Sequence, residues 1–198
     1  MPATPETPSL TSLIDRGAPA AELAAHLDGL PEADRIVEVV SCGGRRIGKL
    51  YELVQGGPPA TLADLYPDGA TGTVTHEGRN SMALFNRFQK RVLRQADGVL
   101  LGYNHQTMSW FTGPGYFVVR DGRDDSPCPG EPYLDYDIPA PTVPEGWPPF
   151  SPSGEGLQSL VYGDMNDYVR RVANGVIVSK AFRKGKPVGV YFTLTRRG

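Results

Sequence analysis

Gly113-Pro114-Gly115-Tyr116-Phe117-Val118-Val119-Arg120-Asp121-Gly122 reads as turn, strand, turn. Its four central residues are aromatic or β-branched, the types that suit a pleated, half-buried surface. Gly-Pro-Gly and Asp-Gly close the two ends. The same texture continues downstream. Tyr133 to Ile138 alternates as a half-buried strand should, and Tyr168 to Val172 and Val176 to Phe182 follow. Lys184-Gly185-Lys186-Pro187 is a turn. Beyond it, Val188, Val190, Phe192 and Leu194 alternate with Gly189, Tyr191, Thr193 and Thr195.

Thr71 to Thr75, Val99 to Tyr103, Met108 to Phe111 and Leu157 to Tyr162 are further strand candidates. Seven or eight strands at short intervals leave no room for crossover helices, so the sheet is expected to be mainly antiparallel. A sheet of that size is expected to close into a barrel. The fold class expected is α+β, a mainly antiparallel β-barrel with a helical N-terminal segment.

Residues 1–8 read as a tail, 9–57 as the helical segment and 58–198 as the barrel domain. Leu23, Leu27 and Leu30 fall on one helix face, and Leu50, Leu53 and Val54 form another stripe. Gly56-Gly57-Pro58-Pro59 ends the run. Met82, Phe85, Phe88 and Val92 also keep a helical spacing, with Asn80 or Ser81 as a cap. That predicts a helix from Met82 to Val92 plugging one barrel end. The Pro/Gly-rich stretch 139–156 carries Trp147 and Phe150, and is expected to pack on the body as a lid.

Bulk properties narrow the function classes. The chain has 198 residues, enough for a core without disulfides or metals, and its 24 glycines and 19 prolines punctuate hydrophobic runs. A net charge of −2 gives no nucleic-acid footprint, and Arg45-Arg46, Lys90-Arg91 and Arg170-Arg171 read as solvated surface. No apolar run reaches the ~18 residues of a membrane span, and Met1 to Ser9 lacks the order of a signal peptide. A cytoplasmic location is the default. Cys42 and Cys128 then read as free thiols. His26, His76 and His105 lack metal-ligand spacing, so neither a metal nor another cofactor is expected.

Three segments carry hydrogen-bonding side chains beside aromatics. The richest is Gly102 to Phe117. Alternation puts Tyr103, His105 and Thr107 on one face and Asn104, Gln106, Met108 and Trp110 on the other. Only one set can face a barrel interior. The second is Leu160 to Arg171, where Asp167 and Arg170 could pair, and Tyr162 and Tyr168 could donate into a cavity. The third is His76 to Asn80, where a helix N-terminus beside Arg79 would suit an anion. The bland reading of all three is core aromatics, a turn with an exposed ion pair, and a cap.

The runs GYNHQTMSWFTGPGYFVV (Gly102 to Val119), GWPPFSP (Gly146 to Pro152), LVYGDMNDYVRRV (Leu160 to Val172) and the ending VGVYFTLTRRG resemble a family of uncharacterised bacterial proteins of this length. HEGRNSMALFNRFQKR (His76 to Arg91) belongs to the same pattern. More remotely, the strand order resembles the calycin class, the lipocalin-like barrels that bind small molecules. The lipocalins' early Gly-x-Trp is missing, since Trp110 and Trp147 come late. Tyr191 precedes Arg196 and Arg197 where fatty-acid-binding barrels carry Arg-x-Tyr. The resemblance therefore implies a barrel and transfers no binding residue.

The leading expectation is a barrel that binds a small apolar or amphipathic molecule. Asn104, Gln106, Trp110, Phe111, Tyr116, Tyr162, Tyr168, Arg170 and Phe192 are the candidate contacts. The alternative is a metal-free isomerase, dehydratase or cyclase in the same cavity, with His105 as acid–base and Tyr103 and Asp167 assisting. That version requires His105 and Asp167 on one face of the sheet. The third reading is a protein-interaction module that docks through residues 1–56. The oligomeric state is left open.

Overall fold

The computed structural model describes residues 8–83, 86–105, 113–152 and 162–198. Among them, eight strands form one closed barrel: β1 (Val74–Asn80), β2 (Arg87–Arg94), β3 (Leu100–His105), β4 (Tyr116–Arg120), β5 (Tyr133–Asp135), β6 (Met165–Ala173), β7 (Val176–Arg183) and β8 (Lys186–Arg196). Each strand pairs antiparallel with the next, and β8 closes on β1. This is the mainly antiparallel barrel that the alternation predicts. Short connections at β1–β2, β2–β3, β6–β7 and β7–β8 return the chain beside the strand it has left, while a long stretch joins Asp135 of β5 to Met165 of β6. At Lys184-Gly185 both residues have positive φ, 51° and 72°. Such a turn matches the twist of the β7–β8 hairpin.

Five helices precede the barrel: α1 (Leu10–Asp15), α2 (Ala20–Asp28), α3 (Glu32–Ser41), α4 (Arg45–Leu53) and α5 (Leu62–Leu65). Helices this short need tertiary partners. Leu10, Leu13, Leu23, Leu27, Ile47 and Leu50 find them against Val172, Val176 and Val178 on the outer face of β6 and β7. The apolar stripes of α1, α2 and α4 are thus buried, while α3 buries Val39 and leaves Val37 exposed. Tyr191 joins that cluster, and a Cβ on Gly48 would stand 3.3 Å from its ring. No helix among the described residues is long and apolar enough to cross a membrane. Cys42 and Cys128 are both buried and unbridged.

Residues 87–94 form β2, so the helix expected from Met82 to Val92 is replaced by a strand. Asn80 ends β1 and caps no helix, although its Oδ1 accepts from Met82 N. The anion site expected at His76–Asn80 therefore has no helix N-terminus to form it. The barrel end is closed instead by α5. Its capping box couples Thr61 and Asp64, and Leu65 and Tyr66 pack beneath Val92, Leu100 and Leu194. His76 of β1 is 1% exposed, with Nε2 donating to Leu65 O at 2.8 Å. Burial pushes its pKa down to about 4, so the ring is neutral and acts as a clasp on the plug.

The stretch expected to form a lid runs along the outer wall as far as it is described. Ile138, Val143, Trp147 and Phe150 pack on Leu101, Tyr103, Tyr116 and Val118. The outward side chains of β3 and β4 are apolar, and the strap removes them from water.

Inside the barrel, two glycines shape the wall. Gly78 pairs with Phe88, and Gly102 pairs with Phe117. A Cβ on Gly78 would lie 2.7 Å from the Phe88 ring, and one on Gly102 would lie 2.4 Å from Phe117 and 2.9 Å from Arg91 O. Each ring therefore lies flat across its partner glycine, a known device in sheets. Gly102→Ala is expected to lose about 1–3 kcal/mol in urea unfolding, because the Phe117 ring must leave its place. A change below ~0.5 kcal/mol would show that the ring is not held there.

Candidate functional site

The barrel interior is mostly hydrocarbon, but β2 sends a lysine into it. Alternation along β2 turns Phe88, Lys90 and Val92 inward and Gln89 and Arg91 outward. Lys90 is 2% exposed. The expectation that Lys90-Arg91 is solvated surface thus fails at Lys90. Arg91 keeps to the outside, where it donates to Tyr103 Oη at 3.2 Å.

Four rings enclose the ammonium. Its Nζ lies 4.8 Å from the ring centres of Phe117 and Phe192, 5.2 Å from Tyr136 and 5.5 Å from Phe88. An ammonium within about 6 Å of an aromatic face is attracted by its quadrupole. The glycines at 78 and 102 let two of these rings lie against the wall, so the cage depends on residues that carry no side chain.

Three polar groups meet the ammonium. Nζ donates to Asn104 Oδ1 at 2.6 Å and to Tyr136 Oη at 2.5 Å. The Tyr136 hydroxyl donates in turn to Asp167 Oδ2 at 2.8 Å. Asn104 Nδ2 donates to Gly115 O at 3.3 Å. Tyr162 stacks on Tyr136 with ring centres 5.3 Å apart. Two of the three ammonium protons are used, and among the described residues the third meets only ring faces. Lys90, Asn104, Tyr136 and Asp167 come from β2, β3, the residue after β5, and β6. A meander is what brings four such distant positions to one level.

Burial opposes both charges. It pulls the Lys90 pKa down to about 8, against the pull of the Asp167 charge. It raises the Asp167 pKa, with Lys90 and the Tyr136 hydroxyl opposing. Burial and the neighbouring Asp167 also push Tyr136 well above the ordinary phenol range. The two shifts run towards each other, so burial narrows the difference between ammonium with carboxylate and amine with acid. In either state the four groups carry no net charge.

The residues expected from the sequence divide between the two faces. Asn104, Tyr162, Phe192 and Asp167 belong to the interior. Tyr103 and His105 lie outside, with their rings 6.2 Å apart, and His105 is exposed. His105 and Asp167 therefore share no site. Tyr116 is outside under the strap, where its hydroxyl donates to Pro148 O. Tyr168 is outside against Tyr133 and Phe182. Arg170 is outside as well. It donates to Glu131 at 2.7 Å and stacks on Tyr51 at 3.8 Å, so the expected Asp167–Arg170 pair does not form. Each of these placements follows from period-two alternation in β3, β4 and β6. Gln106, Trp110 and Phe111 lie outside the described residues.

Lys90 and Tyr136 were not singled out by sequence reasoning. A lysine beside an arginine looks like surface. The signal was its register with Phe88 and Val92, two residues away on each side. Among the described residues no group of three or more His, Cys, Asp or Glu is placed to hold a metal ion. Two hollows of about 600 and 500 Å³ lie on the outside, one beside Val99 and Arg120 and one beside Tyr51 and Arg170. Neither is lined by the Lys90 cluster.

Burying an ion pair is usually no more stabilising than packing hydrocarbon, whereas removing one partner is expensive. Asp167→Leu is therefore expected to lose about 3–5 kcal/mol in denaturant unfolding, since it strands the Lys90 charge. The triple variant Lys90→Met/Tyr136→Phe/Asp167→Leu is expected to regain most of that loss. A triple variant as unstable as the single one would mean that the network is there to hold the fold. Comparison with known protein families, with curated proteins and with solved structures finds no match for this chain.

Proposed function

We propose that the barrel binds a small, largely apolar molecule with a neutral hydrogen-bonding head. Phe88, Phe117 and Phe192 form the wall, and Lys90, Asn104 and Tyr136 receive the head. The observation that carries this reading is the buried ammonium in its ring of aromatics. Such a group weakens a fold more readily than it strengthens one. Its retention at the centre of the barrel is explained by binding.

Other features support the reading. Eight strands make an interior just wide enough to be filled by side chains or to hold one small ligand. The consecutive strand order agrees with the lipocalin-like likeness noted from the sequence. The neutral sum of the cluster selects the head group. An alcohol, amide or carbonyl accepts from the third N–H without adding charge. A carboxylate would bring a second anion beside Asp167, and like charges in a dry site repel strongly. Most apolar residues of the helices pack on the wall or on one another, Val37 of α3 excepted, so the chain offers less support for docking through residues 1–56.

Calorimetric titration with a fatty alcohol, a primary amide and a carboxylic acid of one chain length tests this. The alcohol and amide are expected to bind, and the acid at least tenfold more weakly. Lys90→Met is expected to weaken the amide by about tenfold, the worth of one hydrogen bond near 1.4 kcal/mol. Failure of all three to bind, or equal binding to the Lys90→Met protein, would remove the proposal.

A further inference from the structure

We propose that Lys90 condenses reversibly with the carbonyl carbon of an aldehyde or ketone, so that the barrel holds carbonyl compounds as a protonated imine. This rests on the reading of the interior as a ligand site and names the class of molecule that the site is built to keep. Two hydrogen bonds run in series from the lysine to the carboxylate. Lys90 Nζ donates to Tyr136 Oη, and Tyr136 Oη donates to Asp167 Oδ2. A proton passed to the Tyr136 oxygen is matched by the Tyr136 proton passed to Asp167. The phenol ends neutral, the lysine becomes an amine, and the aspartate becomes an acid. No water is needed to take the proton away.

The amine lone pair then forms a bond to the carbonyl carbon, and the C=O π pair moves to oxygen. One N–H proton transfers to that oxygen, giving a carbinolamine. Asp167, through Tyr136, returns its proton to the hydroxyl, and the C–O bond breaks to release water. The nitrogen lone pair forms the C=N bond. The products are a protonated imine, one water and the Asp167 carboxylate. Atoms and charge balance with the starting ammonium, carboxylate and carbonyl compound.

The surroundings suit that product. The protonated imine keeps the positive charge that Asp167 already faces, so the site acquires no new charge. Four rings at 4.8 to 5.5 Å stabilise a cation at that nitrogen. Asn104 Oδ1, at 2.6 Å, is placed to accept the imine N–H. Burial also keeps more of the lysine as free amine at neutral pH, the usual way in which Schiff-base lysines are activated. The other four lysines lack this setting. Lys49, Lys184 and Lys186 are at least partly exposed, and Lys180 lies on the outer wall beside Tyr51. With a pKa of about 8 against the ordinary lysine value of about 10.4, Lys90 has roughly 200-fold more free amine at pH 7.

The test uses the full chain with cinnamaldehyde and sodium cyanoborohydride at pH 7, followed by peptide mass mapping. Cinnamyl alcohol binding is measured in parallel by calorimetry. The expected result is reductive labelling of Lys90 at least tenfold faster than of Lys49, Lys180, Lys184 or Lys186. A red-shifted aldehyde absorbance before reduction is expected, and Asp167→Asn should diminish it. Lys90→Met should show no shift, and its alcohol binding should weaken as its amide binding does. If the alcohol binds and Lys90 is labelled no faster than the other lysines, imine formation is overturned and the binding reading stands. If the alcohol does not bind and no lysine is preferred, both fall.

Discussion

An ammonium ion inside a ring of aromatic side chains is the constraint on which this structure turns. Lys90 sits where a β-barrel normally keeps hydrocarbon. Water is replaced by two hydrogen-bond acceptors, four ring faces and one carboxylate reached through a hydroxyl. Each replacement makes a geometric demand on the fold. The carboxylate must come from β6, the hydroxyl from the chain just after β5, and the amide from β3. A closed meander meets all three demands, because every inward position at one height faces the same axis.

The remaining architecture holds that arrangement in place. Gly78 and Gly102 let Phe88 and Phe117 lie flat, which sets the distance from ring to ammonium. The α5 plug closes one end of the barrel, and His76, the cross-strand partner of Lys90, clasps it through Leu65 O. α2, α3 and α4 cover the outside of β6, β7, β8 and β1, with α1 packed on them, and the aromatic strap covers β3 and β4. These outer layers stabilise by ordinary burial of apolar surface. They allow the centre to carry a group that contributes little to stability.

Much of the fold was legible in the sequence, and the departures share one cause. β4, β7 and β8 carry alternating or continuous apolar runs with Gly-containing turns, and period two is plain there. In β2 the inward position between Phe88 and Val92 is Lys90. A cation at an inward position breaks the apolar alternation, and the remaining Met82, Phe85, Phe88 and Val92 spacing then imitates a helix. The buried cation therefore concealed both the strand and itself. Asn104 and Asp167 were visible as polar residues within strand-like runs, but the choice of inward face was not. Alternation gives two faces and no sign. Only the register against β2 and β7 assigns Asn104 and Asp167 to the axis and turns His105, Tyr116, Tyr168 and Arg170 outward.

The sequence suggested polar groups among Tyr103, Asn104, His105, Gln106, Asp167 and Arg170 beside aromatic walls that included Tyr116, Tyr162 and Phe192. Asn104, Asp167, Tyr162 and Phe192 lie inside, Tyr103, His105, Tyr116 and Arg170 lie outside, and Lys90 and Tyr136 complete the polar part. The central claim is that the Lys90 ammonium is buried and held by its neighbours rather than by solvent. Nitrogen-detected NMR titration of the lysine Nζ groups in the full chain tests this directly. One lysine signal, absent in Lys90→Met, should titrate near pH 8. If all five titrate together in the ordinary lysine range near 10.4, the ammonium is in water and the account fails.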